Sequence, residues 1–185
     1  MNQVIETLLN RRSIRAYQQK QIPGEELHFI LEAGKYAPSA MNAQSWHFTV
    51  VQNVSVLQMI SEANRKVILE SGNERMMERA KQPNFSSFHN APCVIILSGQ
   101  ETRFSPTDCA IAGQNMVIAA ESLGIGSCWV ASFSMAFDTP ARDELLKALS
   151  IPEGYKPYFA LTLGYAQGET PTAAPRKENC VNFVI

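Results

Sequence analysis

Residues 92–97 read Pro92-Cys93-Val94-Ile95-Ile96-Leu97, an apolar run with no charge in it. A run this short and this rich in β-branched side chains predicts a strand buried on both faces. Helical patterns lie on either side of it in the chain. Residues 108–123 carry Ile111, Met116, Val117, Ile118, Ala119, Ala120 and Leu123, apolar on more than one helical face. Such a helix belongs in a core or an interface, and Gly124 is placed to end it. Leu57, Ile60 and Val67 recur at helical spacing through 55–70.

Working outward, His47-Phe48-Thr49-Val50-Val51, Ser127-Cys128-Trp129-Val130 and the stretch Tyr158 to Gly164 predict three more strands. Val4, Ile5, Leu8 and Leu9 predict a helix over 2–10. Leu27, Ile30 and Leu31 predict another that starts at Pro23 and stops near Ala37, ahead of Pro38. Thr139 and Pro140 offer an N-cap and first-turn pair for a helix through Leu149. The polar stretch Ser71 to Asn90 suggests a helix followed by a mobile loop. With no composition break and no internal repeat, residues 1–185 form one domain of α+β or α/β class. The tail ends Phe183-Val184-Ile185. An apolar end pairs with its own sheet or with a partner's sheet edge, and these residues favour neither.

Composition removes several classes. The 185 residues hold 16 Lys plus Arg against 17 Asp plus Glu, and 45% are apolar. A near-neutral chain of ordinary hydrophobicity is neither disordered nor a non-specific nucleic-acid binder. Cys93, Cys109, Cys128 and Cys180 form no C-x-x-C pair, and Cys93 and Cys128 read as small core residues. No signal peptide or membrane span is visible, so the expected location is cytoplasmic. The residues show no hydrolase elbow, no zinc pattern and no P-loop, and His28, His47 and His89 have no ligand spacing. No metal is expected.

Two clusters carry chemistry. Arg11, Arg12, Ser13 and Arg15 place three guanidinium groups and a hydroxyl within five residues. Arg donates in a fixed fork suited to phosphate, although a basic patch at a helix C-terminus is the plainer reading. In Pro38-Ser39-Ala40-Met41-Asn42-Ala43-Gln44-Ser45-Trp46, Asn42 and Gln44 each offer a donor and an acceptor. That suits a heterocycle edge; an ordinary helix-ending loop is the plainer alternative.

Taken together these stretches resemble a known family. Arg11-Arg12-Ser13-Ile14-Arg15-Ala16-Tyr17 is similar to the R-R-S-x-R-x-[FY] opening of the nitroreductase family of FMN-dependent oxidoreductases. Ala37 to Trp46 resembles its A-P-S-x-x-N-x-Q-P-W segment, with Ser45 where the family usually has Pro. That departure is expected to loosen the approach to the following strand and leave the chemistry alone. Gly124-Ile125-Gly126-Ser127-Cys128-Trp129 is similar to its G-[IL]-G-[ST]-x-[WP] turn. Gly164-Tyr165-Ala166, followed by Arg176-Lys177, resembles its closing segment.

The resemblance implies an α+β nitroreductase-like fold, with a mostly antiparallel central sheet flanked by helices and a C-terminal tail wrapped on a dimer partner. It implies a homodimer with FMN at the interface and NADH or NADPH as electron donor. It assigns Arg11, Ser13 and Arg176 to the FMN phosphate with Arg12 alongside, and Arg15 to the pyrimidine side of the ring. Pro38, Ser39 and Ala40 would line the flavin from the partner chain, with Asn42 and Gln44 on its polar edge or ribityl chain. Trp129, Val130 and Ala131 would pass beside it. Met41, Phe85, Phe88 and Phe104 are candidates for the acceptor pocket, covered by the 71–87 stretch. No catalytic side chain is needed, because FMN performs the hydride chemistry. The expected reaction is ping-pong reduction of nitroaromatics, quinones or related small molecules. The alternatives are an FMN carrier with little turnover and a specialised activity such as dehalogenation or flavin destruction.

Overall fold

The computed structural model describes residues 1–185. Its framework is one antiparallel sheet of four strands: β1 (Trp46–Val51), β2 (Cys93–Gln100), β3 (Gly126–Val130) and β4 (Tyr155–Gly164), in the spatial order β1-β2-β4-β3. The central strand β2 is the most buried, enclosed from Cys93 to Gly99. Side chains alternate along β2, so Cys93, Ile95 and Leu97 face one side and Val94 and Ile96 the other. Both sides are covered, which is why the run shows no polar alternation although the sheet is antiparallel.

The first face packs against α2 (Gly24–Lys35) and α5 (Ser105–Ser122). α5 presents Cys109, Ala112, Met116, Val117 and Ala120 to Ile95, Leu97, Leu161 and Leu163. It ends as the sequence predicts. Gly124 takes φ +71, its N–H bonds Glu121 O at 3.0 Å, and Ile125 N–H bonds Ala120 O at 2.8 Å. These are the two bonds of a Schellman ending, with Ile125 buried behind it. The second face packs against α3 (Val54–Glu70), α6 (Arg142–Ala148) and a 3₁₀ segment, Ser132–Asp138. α1 (Gln3–Asn10) precedes the basic cluster and buries none of its residues. α4 (Glu74–Ala80) lies beside α3.

Four expectations change. The helix expected from Thr139 starts at Arg142: the Thr139 hydroxyl donates back to Ala136 O at 2.7 Å and accepts from Ala141 N–H at 3.2 Å, so it caps a single turn that precedes the helix proper. β4 begins at Tyr155 rather than Tyr158, and Pro157 is tolerated where a register shift between Leu97 and Ser98 leaves Tyr158 unpaired. The 71–90 stretch is tied to α3 through Arg65 Nε to Ala80 O at 2.7 Å and Asn64 Nδ2 to Ser87 Oγ at 2.9 Å. Ser45 does not loosen the chain: it is buried and hydrogen-bonded on both sides. No helix is long and apolar enough to cross a membrane.

Candidate functional site

The chain leaves α1 at Arg11 and runs extended along the edge of β3. Ile14 N–H bonds Ser127 O at 2.9 Å, and Gln18 N–H bonds Tyr165 O at 2.9 Å. Ile14 and Tyr17 point inward and are buried. The Tyr17 hydroxyl donates to Ile14 O at 2.6 Å and sits 2.7 Å from Thr162 Oγ1; burial pushes its pKa up. Gly126 makes this close approach possible, since a Cβ there would lie 2.8 Å from Ile14 Cγ1.

Anchoring Ile14 turns its neighbours outward. Arg11, Arg12 and Ser13 are half-buried and Arg15 is exposed. Arg11 Nη1 is buried with no hydrogen-bond partner. Arg12 is placed differently: its Nη1 donates to Leu9 O at 2.7 Å and Arg11 O at 2.8 Å. It therefore serves the orphan carbonyls at the end of α1. Glu121 on α5 lies in the same field. Burial raises its pKa, and the charges of Arg11 and Arg12 pull it back down. Arg176 is exposed in the tail and makes no hydrogen bond or ion pair within the chain.

The second cluster forms a loop between α2 and β1. Pro38 is exposed, and Ser39 and Ala40 are half-buried. A single 3₁₀ turn, Ala40–Asn42, follows, with Met41 and Asn42 at φ 55 and Gln44 at φ 47. Asn tolerates the left-handed region; Met and Gln each cost about 1–2 kcal/mol there. The loop returns this strain in hydrogen bonds. Gln44 N–H bonds Ser39 Oγ at 3.0 Å, and Gln44 Nε2 donates to Asn42 Oδ1 at 3.1 Å. Asp108, buried at 2% exposure on α5, accepts from Ala40 N–H at 3.1 Å and from the Ser45 hydroxyl at 3.2 Å. Sequence reading missed Asp108, whose loop partners lie more than sixty residues away; only its place as an acid in the first turn of an apolar helix hinted at a role.

The two clusters do not meet within one chain. The Arg11–Arg15 segment flanks β3 and the 38–45 loop enters β1, the opposite edges of the sheet. Three strand spacings, about 14 Å, separate those edges. Trp129 is half-buried with its ring edge-on to Phe159 at 5.4 Å. Val130 turns its side chain into the second core and Ala131 is exposed. The aromatic candidates are scattered. Met41 is exposed at the loop tip and Phe104 is exposed ahead of α5. Phe85 is half-buried beneath the Arg79 guanidinium, 5.9 Å from its ring centre. Phe88 is 1% exposed and 5.7 Å from the Phe133 ring, and with Phe85 it lines a cavity between α3 and residues 83–92.

Comparisons with known proteins assign the fold to a family. The chain belongs to the nitroreductase family, whose model matches residues 8–165. A nitroreductase with bound FMN from Bacteroides fragilis is 37% identical, with a TM-score of 0.92 over 100% of both chains. One with bound FMN from Desulfitobacterium hafniense is 30% identical, with a TM-score of 0.88 over 100% of this chain and 99% of that one. An NADPH-flavin oxidoreductase from Vibrio harveyi is 29% identical, spanning 95% of this chain and 70% of that protein.

Proposed function

We propose that this protein is an FMN-dependent oxidoreductase that draws electrons from NADH or NADPH and passes them to electron-poor acceptors such as nitroaromatics or quinones. One observation carries the reading: the phosphate-type donors and the amide loop lie at opposite sheet edges, so a second copy of the chain completes the site. The working unit is therefore a homodimer of one-domain chains, residues 1–185, with FMN between them. The apolar surface supports this. Leu8 and Leu9 of α1 are about half exposed, and Phe183 in the tail is 85% exposed. The free edge of β1 offers the tail of the other chain a place to pair.

The donor set fits FMN. Arg11 Nη1 is a buried donor without a partner, which suits a phosphate, and Ser13, two residues on, and Arg176 of the tail supply the further donors. Arg12, its Nη1 committed to carbonyls, adds charge. Arg15 stabilises negative charge at the pyrimidine end. Asn42 and Gln44 bond the polar edge or ribityl chain, and Pro38, Ser39 and Ala40 line the flavin of the opposite subunit. Trp129, Val130 and Ala131 pass beside the ring through their backbone. Met41 and Phe104, both exposed, and Phe85 and Phe88, on the wall of one cavity by the 71–87 cover, are the acceptor-side candidates. Bound FMN supplies the hydride chemistry, so the chain provides no nucleophile or general base. Donor and acceptor occupy one pocket in turn, giving ping-pong kinetics. The four cysteines are free, which suits the cytoplasm.

The test is an anaerobic absorption spectrum of the purified protein, before and after NADH and then NADPH. A flavin band that bleaches with either nucleotide, and returns with a quinone or nitroaromatic, is the expected result. A band that persists supports an FMN carrier instead. Absence of any band after incubation with FMN overturns the reading.

A further inference from the structure

The loop between α2 and β1 holds an improbable shape. Three of its four residues from Met41 to Gln44 are left-handed and none is glycine. The carboxylate that spans it, Asp108, has no cationic partner; both of its hydrogen bonds go to the loop, one on each side of the left-handed arc. Its charge sits in the first turn of α5, where the helix dipole favours an anion.

A chain of hydroxyls converges on it. Ser105 Oγ donates to Ser45 Oγ at 3.2 Å, which leaves the Ser45 proton for Asp108 Oδ2. Thr102 Oγ1 lies 2.7 Å from Ser105 Oγ and, with the Ser105 proton committed, is the donor of that pair. Three hydroxyl dipoles thus point the same way, toward one carboxylate, and reinforce one another. Ser45 matters twice. Its hydroxyl is the second tether, and because it is not proline it leaves Gln44 free to take φ 47. A proline at 45 would drive the residue before it into extended geometry.

We propose that Asp108 is a positioning residue for the cofactor: by clamping Ala40 and Ser45 it holds the left-handed arc, and with it the amides of Asn42 and Gln44, in the shape that meets FMN. This rests on the function proposed above. Asp108 touches no ligand itself; it acts through the loop.

The test uses the full chain, with FMN as the probe. Affinity is read by quenching of FMN fluorescence, loop order by amide exchange at Ala40 and Gln44 without FMN, and ring placement by visible circular dichroism of bound FMN. Asp108→Leu speeds exchange at both amides, changes the dichroism, and weakens FMN by about 10- to 100-fold, the range for losing hydrogen bonds to a charged group. Asp108→Asn rescues, because Oδ1 still accepts from Ala40 and the hydroxyl chain can reverse to accept from Nδ2. Its affinity stays within about 3-fold of wild type, a net loss inside the scatter of neutral hydrogen bonds. Ser45→Ala keeps the Ala40 tether and costs about 3- to 10-fold; it decides the matter if Asp108→Leu does not fold. Unchanged exchange at Ala40 and Gln44, or unchanged dichroism with affinity falling only in step with melting temperature, overturns the proposal. If wild type takes no FMN, the proposed function falls and the flavin role of Asp108 with it. If wild type binds FMN and the variants leave the loop unmoved, only the clamp is lost.

Discussion

The sheet face beneath α3 and the 3₁₀ segment is sealed by aromatic rings. Phe88, Phe133 and Phe137 interlock at 5.7 and 5.8 Å and are all buried. The face beneath α2 and α5 has a core of similar size, 14 buried residues against 13, yet Trp46, Phe48, Trp129 and Phe159 at its margin stay partly exposed. The difference is in the covering helix. α5 meets the sheet with small residues, Cys109, Ala112 and Gly113, so it sits close, and against Trp129 it offers only a glycine, which leaves the ring partly uncovered. One face is finished within the chain; the other leaves aromatic surface beside both candidate clusters, which the proposed dimer and its cofactor would cover.

If that contrast is right, removing residues 180–185 has the largest effect: the dimer dissociates and FMN is released while the monomer keeps its helical circular dichroism. A fully loaded dimer after truncation, seen by light scattering, breaks the contrast. Phe133→Ala strikes the sealed face and costs about 3–5 kcal/mol in urea unfolding, with FMN affinity of the folded fraction unchanged. Arg11→Ala, on the open side, should do the reverse. It leaves unfolding nearly unaltered and weakens FMN by about 2–5 kcal/mol in a fluorescence titration, the range for losing one partner of a desolvated charge pair.

Two glycines sharpen the picture of α5. A Cβ at Gly113 would lie 2.5 Å from Trp129 Cη2, a rigid ring already wedged against Phe159. Gly113→Ala therefore loses about 1–2 kcal/mol despite its gain in helix propensity. A Cβ at Gly34 meets buried Met116 at its methyl end and, 2.9 Å away, at Cγ; a thioether chain can shift where an indole cannot, so Gly34→Ala costs less than Gly113→Ala, about 1 kcal/mol. Equal costs in thermal melts would mean that the close approach of α5 is not set by Trp129.

The sealed side has one weak seam, which gives the smallest effect. Burial, then the charges of Arg79 and Arg15, hold His89 down at about 4 against an ordinary 6.5. The folded state keeps this ring neutral, whereas the unfolded chain takes up a proton as pH falls through 6.5. Stability is thus flat above that value, declines toward pH 4, and levels off below it. Solvent screening of a partly exposed ring limits the loss to about 1 kcal/mol. His89→Gln removes that slope from a pH series of melting temperatures; an unchanged slope assigns it elsewhere.

Much of this architecture is legible in the amino-acid order, because periodicity reports burial directly. The run at Cys93–Leu97, the all-round apolar pattern of α5 and the Gly124 ending each required only local reading. What escaped depends on distant partners or on competition for one group. Phe133, Ala136 and Phe137 have helical spacing, but the segment is too short for its pattern to stand out among serines. Thr139 does accept from Ala141 N–H as a cap would, but its hydroxyl also donates to the previous turn, and the regular helix begins only at Arg142. For the site, the residue types in both clusters could be read from the residues themselves, and their separation was implied only by the family resemblance. The order β1-β2-β4-β3 is not sequential, so neighbours in the chain give no warning that the clusters lie on opposite edges. Phe88 shows the same limit, since an aromatic residue in a polar stretch looks alike whether it lines a pocket or fills a core.

The clamp on the 38–45 loop also has a consequence for vectorial synthesis. Asp108 follows Ala40 by 68 residues and Ser45 by 63. At roughly 5–20 residues per second, a ribosome completes the loop some 3–13 s before it makes the side chain that holds it. Through that interval the nascent loop has no reason to be left-handed. Its final shape waits for β2 and α5, so this loop becomes recognisable only well after its own residues have been made.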